Sequence, residues 1–84
     1  MFMSTISGIL RALGCPARLG VYQCLGEQGK PVSQVARELS LAQSTTSFHL
    51  AKLMAAGLVD LDVRGREHHY RWGRRRWFLV EGAL

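Results

Sequence analysis

The chain is 84 residues long, 48% hydrophobic and 20% charged, with a formal net charge of +5. That length excludes a second domain, and that apolar share excludes a disordered tail. A core this small is marginal alone and predicts a homodimer. The longest apolar runs, such as Trp77 to Val80, fall far short of the roughly 20 residues of a membrane span, so no membrane partner is expected. Met-Phe-Met-Ser at the start has no basic signal region, and two cysteines make no disulfide framework, so the protein reads as cytoplasmic.

In chain order, Ile6, Ile9, Leu10 and Leu13 recur at helical spacing behind Ser4 and Thr5, which predict a capped first helix. Gly14 and Pro16 interrupt it, and Pro16 suits the first turn of a second helix running to about Glu27 and ending at Gly29. Leu19, Tyr22 and Leu25 form its inward side, with Val21 and Cys24 on the flank. Pro31 opens a third helix with Val32, Val35, Ala36 and Leu39 facing in. After a break at Ser40, Leu41 and Ala42, a fourth helix runs from Gln43 to Ala56 with Thr46, Leu50 and Leu53 inward, and Gly57 stops it.

Beyond Gly57 the period changes to two. Val59, Leu61 and Val63 alternate with Asp60, Asp62 and Arg64, and His68, Tyr70 and Trp72 alternate with His69 and Arg71, which predicts a hairpin joined through Gly65. Arg74 to about Gly82 reads as a short closing helix. The expected architecture is α+β and mostly α: one winged helix-turn-helix domain over residues 1–84, with a three-helix core, a β-hairpin wing and a C-terminal helix.

Positive charge is local. Residues 64–76 hold Arg64, Arg66, Arg71, Arg74, Arg75 and Arg76 against Glu67, while five bases and five acids balance over the rest. A basic strip of this kind is the footprint of a polyanion, usually nucleic acid. Two short helices joined by a three-residue break, the second starting with Gln43, Ser44, Thr45 and Ser47, have the form of a helix-turn-helix. Such a helix brings small hydrogen-bonding side chains to base edges at its N-terminal end, where its dipole also favours phosphate. Ser44 or Thr45 could equally cap the helix.

Four collinear stretches carry a resemblance to the ArsR/SmtB-type bacterial repressors. They are Ala12-Leu13-Gly14-Cys15-Pro16-Ala17-Arg18-Leu19, Leu41 to Leu50, Ala56-Gly57-Leu58-Val59, and Arg64-Gly65-Arg66 through Tyr70-Arg71. The resemblance implies a homodimer that binds an imperfect palindrome in double-stranded DNA and releases it when an inducer is sensed. It places Gln43, Ser44, Thr45 and Ser47 at DNA-reading positions, His49 at a position that commonly holds His, and Arg64 and Arg66 at the wing tip. His49 is expected among the DNA-binding residues of the helix, and Arg74, Arg75 and Arg76 among those of the basic strip. Phe48 stands where many relatives carry Arg or His; it packs on a thymine methyl or on the hairpin. The twofold interface is expected from Ile6, Ile9 and Leu13 of the first helix and Trp77, Phe78 and Val80 of the last.

Family metal sites use a Cys pair in the third helix or a carboxylate and His set in a longer last helix, and this sequence has neither, so no metal and no cofactor is expected. His68 and His69, adjacent in a strand, point to opposite faces and read as a surface pair. Cys24 reads as a small core hydrophobe, whereas Cys15, at a helix N-terminus, is the candidate redox or thiophilic contact. The scattered carboxylates form no catalytic constellation, so an enzyme is not expected. Two functions remain, a dimeric repressor reading DNA and a protein-interaction module on the same scaffold; Phe48, Ala51, Met54 and Ala55 are the apolar residues that would serve the second.

Overall fold

The computed structural model describes residues 2–73, and the side chains of residues 7–73. The closing helix expected over 74–82, with Arg74, Arg75, Arg76, Trp77, Phe78 and Val80, lies outside the described residues, as does the side chain of Ile6. The order of elements is α1 (Phe2–Leu13), α2 (Pro16–Leu25), β1 (Lys30–Pro31), α3 (Val32–Leu39), α4 (Gln43–Ala55), β2 (Val59–Arg64) and β3 (Glu67–Trp72). Ser4 and Thr5 fall inside α1, so they are not its caps. α2 starts at Pro16 as its fixed φ favours, but stops at Leu25, short of the expected Glu27, because Gly26 leaves helical geometry at φ 104°.

The fully buried side chains are Ile9, Val21, Val35, Thr46, Leu50, Leu53 and Leu58, so one core joins all four helices to the foot of the hairpin. Two expectations need correction here. Ile9, assigned to the dimer interface, has no exposed surface and packs inside the protomer, as Leu13 does in part, whereas Leu10 is the α1 residue that is 55% exposed. Val21, placed on the flank of α2, is in the core. Both residues belong to the one core that α1, α2, α3 and α4 share, a fact of packing rather than of period.

The sheet is antiparallel with order β1-β3-β2. Leu61 faces Tyr70 and Arg64 faces Glu67 across β2 and β3, so a two-residue turn, Gly65 and Arg66, closes the hairpin. Gly65 sits at φ 63° in the first central position, where a type II′ turn takes glycine and matches the twist of the strands. β1 pairs Lys30 with Tyr70 and Pro31 with His69. It is only two residues long and leaves no twofold pattern, which is why the sequence did not disclose it.

α4 ends in a Schellman motif: Leu58 N–H donates to Leu53 O at 3.0 Å and Gly57 N–H to Met54 O at 2.9 Å, with Gly57 left-handed at φ 78°. α3 ends the same way on a serine. Leu41 N–H donates to Ala36 O at 2.9 Å while Ser40 takes φ 56°.

Candidate nucleic-acid interface

α3, the three residues Ser40 to Ala42 and α4 form the helix-turn-helix, and the face of α4 divides cleanly. Thr46, His49, Leu50 and Leu53 are buried, while Gln43, Ser44, Thr45, Ser47 and Phe48 are exposed. Thr46 satisfies its buried hydroxyl by donating to Ala42 O at 3.0 Å. The N-cap is Ala42, with no side-chain cap bond, so neither Ser44 nor Thr45 caps the helix. The first intrahelical bond is Thr46 N–H to Ala42 O, which leaves the amides of Gln43, Ser44 and Thr45 open at a bare helix start suited to an anion.

His49 does not share that outward face: it is 8% exposed and accepts a hydrogen bond at Nδ1 from Arg18 Nε at 3.3 Å. Burial and then the Arg18 charge push its pKa below the ordinary histidine value. His49 thus packs a neutral imidazole beneath the recognition helix, correcting its expected place among the reading residues. The period put it one position from Phe48, and the register of packing turned it inward.

Phe48 is 55% exposed. Its ring lies 5.9 Å from Arg18 Cζ and 5.3 Å from Lys52 Nζ, two cation–π contacts at one edge of the reading face. Lys52 was legible as the i+4 neighbour of Phe48; Arg18 was not, because it comes from another helix.

The wing borders the other edge of α4. Gln43 and Ser47 share a groove of about 420 Å³ with Ser33, Arg66, His68 and Tyr70. Arg66 stands exposed in the turn with no described partner, whereas Arg64 is engaged: it donates to Gln28 O at 2.8 Å and pairs with Asp62 at 3.2 Å. Arg64 therefore braces the wing against the α2–β1 loop. His68 is exposed and His69 is half-buried against Glu67 at 3.1 Å, so the two do not converge.

The cysteines are also apart in role. Cys15 is the N-cap of α2 and makes no side-chain cap bond. Cys24 flanks the core, but its thiol sits in a polar cluster, 3.3 Å from Glu38 Oε1 and 3.6 Å from Lys30 Nζ. Burial and the Glu38 carboxylate push the Cys24 pKa up, and Lys30 and Gln34 hold Glu38 down at about 2. This cluster ties α2, β1 and α3 together, a function the sequence pattern missed.

Three helices around one core, a recognition helix with a bare polar start and a hairpin beside it define a winged helix-turn-helix protein. Residues 13–62 match the family model described as a helix-turn-helix domain. The HTH-type transcriptional repressor SmtB of Mycobacterium tuberculosis is 38% identical over 63 residues, covering 75% of this chain and 47% of that protein. The chain thus spans about half the length of that curated relative. The crystal structure of NolR from Sinorhizobium fredii superposes with a TM-score of 0.81 at 29% identity, covering 98% of this chain and 82% of NolR. A homodimeric winged helix-turn-helix DNA-binding domain from Mycobacterium bovis, described as a possible ArsR-family regulator, gives a TM-score of 0.82 at 25% identity, covering 98% and 80%. The chain belongs to the helix-turn-helix domain family and, within it, to the ArsR/SmtB-type winged helix-turn-helix regulators.

Proposed function

We propose that the protein is a dimeric transcriptional repressor that reads a palindromic site in double-stranded DNA. The observation that carries this reading is the bare start of α4: Gln43, Ser44, Thr45 and Ser47 are exposed with no side-chain cap, and Gln43 and Ser47 share a groove with the wing cation Arg66. In the proposed complex Gln43 and Ser44 meet base edges in the major groove, the open amides of the first turn meet a phosphate, and Arg66 grips the backbone. Twofold symmetry would present two such helices to the two halves of a palindrome. Leu10, exposed on α1, is the described residue best placed for that interface, and the homodimeric neighbour from Mycobacterium bovis supports it. The carbons of Phe48 suit a thymine methyl. No catalytic role is assigned to the chain, and the cytoplasm is the compartment this reading requires.

The test compares a site selected from random duplexes with random DNA. Gln43→Ala should cost about 1–3 kcal/mol on the selected site and little on random DNA, whereas Arg66→Ala should weaken both alike. Equal losses on both DNAs for Gln43→Ala would show that α4 does not read sequence and would favour a protein-interaction module.

A further inference from the structure

Arg11 of α1, Arg18 of α2 and Lys52 of α4 converge on a second hollow of about 300 Å³ that borders α4 on the side of α1 and α2. Its remaining lining is Gly8, Ala12, Ala55 and Ala56, so three cations meet apolar walls and no carboxylate. Among the described residues none of the three forms an ion pair. Like charges gathered around one open hollow repel one another, and an anion bound there relieves that repulsion. Arg18 is already fixed, donating to His49 Nδ1 at 3.3 Å and to Ala12 O at 3.4 Å, so its guanidinium is set before any ligand arrives.

We propose that this hollow is a second clamp for DNA backbone phosphate, so that each protomer grips the duplex on both sides of its recognition helix. The inference rests on the DNA-reading function proposed above and adds residues to it. Continuity with the reading face selects DNA as the occupant: Phe48, exposed on that face, lies within cation–π distance of both Arg18 and Lys52. Spacing agrees. At about 1.5 Å per residue Lys52 lies about 12 Å along α4 from Ser44, roughly the width of the major groove, so bases met at the start of α4 bring a backbone strand to Lys52. The sequence pattern does not disclose the site, because its cations come from three helices and stand outside the arginine-rich segment.

The experiment uses the full chain and follows binding to random and selected duplexes over a salt series. Lys52→Gln and Arg11→Gln are exposed substitutions away from the core, and Arg18 is left intact because it also holds His49. Each is expected to lower the salt slope by about 0.9 for every phosphate no longer neutralised, hence about 2 per dimer, to weaken both DNAs equally, and to leave the thermal midpoint unchanged. Lys52→Arg should restore the slope. Unchanged slope and affinity in both glutamine variants, with Arg66→Gln still lowering the slope, would overturn the clamp while leaving DNA reading intact. A flat salt plot for the unmodified protein would overturn both. Inorganic phosphate that protects the thermal midpoint of the unmodified protein but not of Lys52→Gln, with DNA slopes unchanged, would assign the hollow to a free anion and overturn the clamp as well.

Discussion

The recognition helix and the hairpin border one groove, but they are held in different ways. α4 is buried along one face from Thr46 to Leu53, whereas the hairpin is fixed at its foot and bare at its tip. At the foot, Trp72 stacks on Tyr22 with centroids 5.9 Å apart, donates its indole N–H to Tyr22 O at 2.8 Å and donates its backbone N–H to Gly26 O at 2.9 Å. Toward the tip, Val63 is 60% exposed and Arg64 supplies the brace to Gln28. The difference teaches that the helix is a fixed platform for reading bases, while the wing is a lever packed at its foot and tied near its tip by one exposed side chain, Arg64. A lever of this kind tolerates adjustment to a flexible polyanion.

The largest effect should come from breaking the foot. Trp72→Ala removes a ring stack and the indole hydrogen bond to Tyr22 O, at a cost of about 3 kcal/mol or more. Trp72→Phe keeps a ring and should cost about 1 kcal/mol, while Val63→Ala near the tip should stay within about 0.5 kcal/mol. Urea unfolding of the three variants measures this, and equal destabilisation at foot and tip would refute the lever description.

The platform has its own pH signature. Because burial lowers the native pKa of His49 below its ordinary 6.5, the unfolded chain binds the proton more readily than the folded one. The His49 contribution is therefore full above about pH 6.5 and is lost as pH falls below that value toward the lower native pKa. His49→Gln, whose side-chain oxygen still accepts from Arg18, should flatten the fall of the urea midpoint between about pH 7.5 and 5.5. An unchanged pH profile in that variant would show that His49 does not titrate with unfolding.

The smallest effect concerns the turn that sets the two helices of the motif. Ser40 adopts the left-handed conformation that Gly57 adopts at the end of α4, and an L-residue there bears strain that glycine avoids. Ser40→Gly should raise stability by up to about 1 kcal/mol, offset in part by glycine's greater unfolded-state entropy. A calorimetric midpoint that falls instead would mean that the entropy cost exceeds the strain.

Local chemistry was enough to place most elements: Pro16 opened α2, Gly57 closed α4, and the change from helical to twofold spacing marked the hairpin around Gly65. The exposed row Gln43, Ser44, Thr45 and Ser47 was legible too, because Leu50 and Leu53 declare the opposite side of the same helix. α3 ended on Ser40 without the glycine that signals such a cap, and β1 was too short to show a period. The side chains that left their expected places, Ile9, Val21 and His49, did so through packing between elements: Arg18 is 31 residues from His49, and the brace on Arg64 comes from Gln28, 36 residues away. Period and propensity act within one element, so the sequence by itself determined the elements and the outward polar row. Which apolar residue points into the core, which arginine is engaged and which cations share a hollow depend on how elements pack, and these the tertiary structure alone decided.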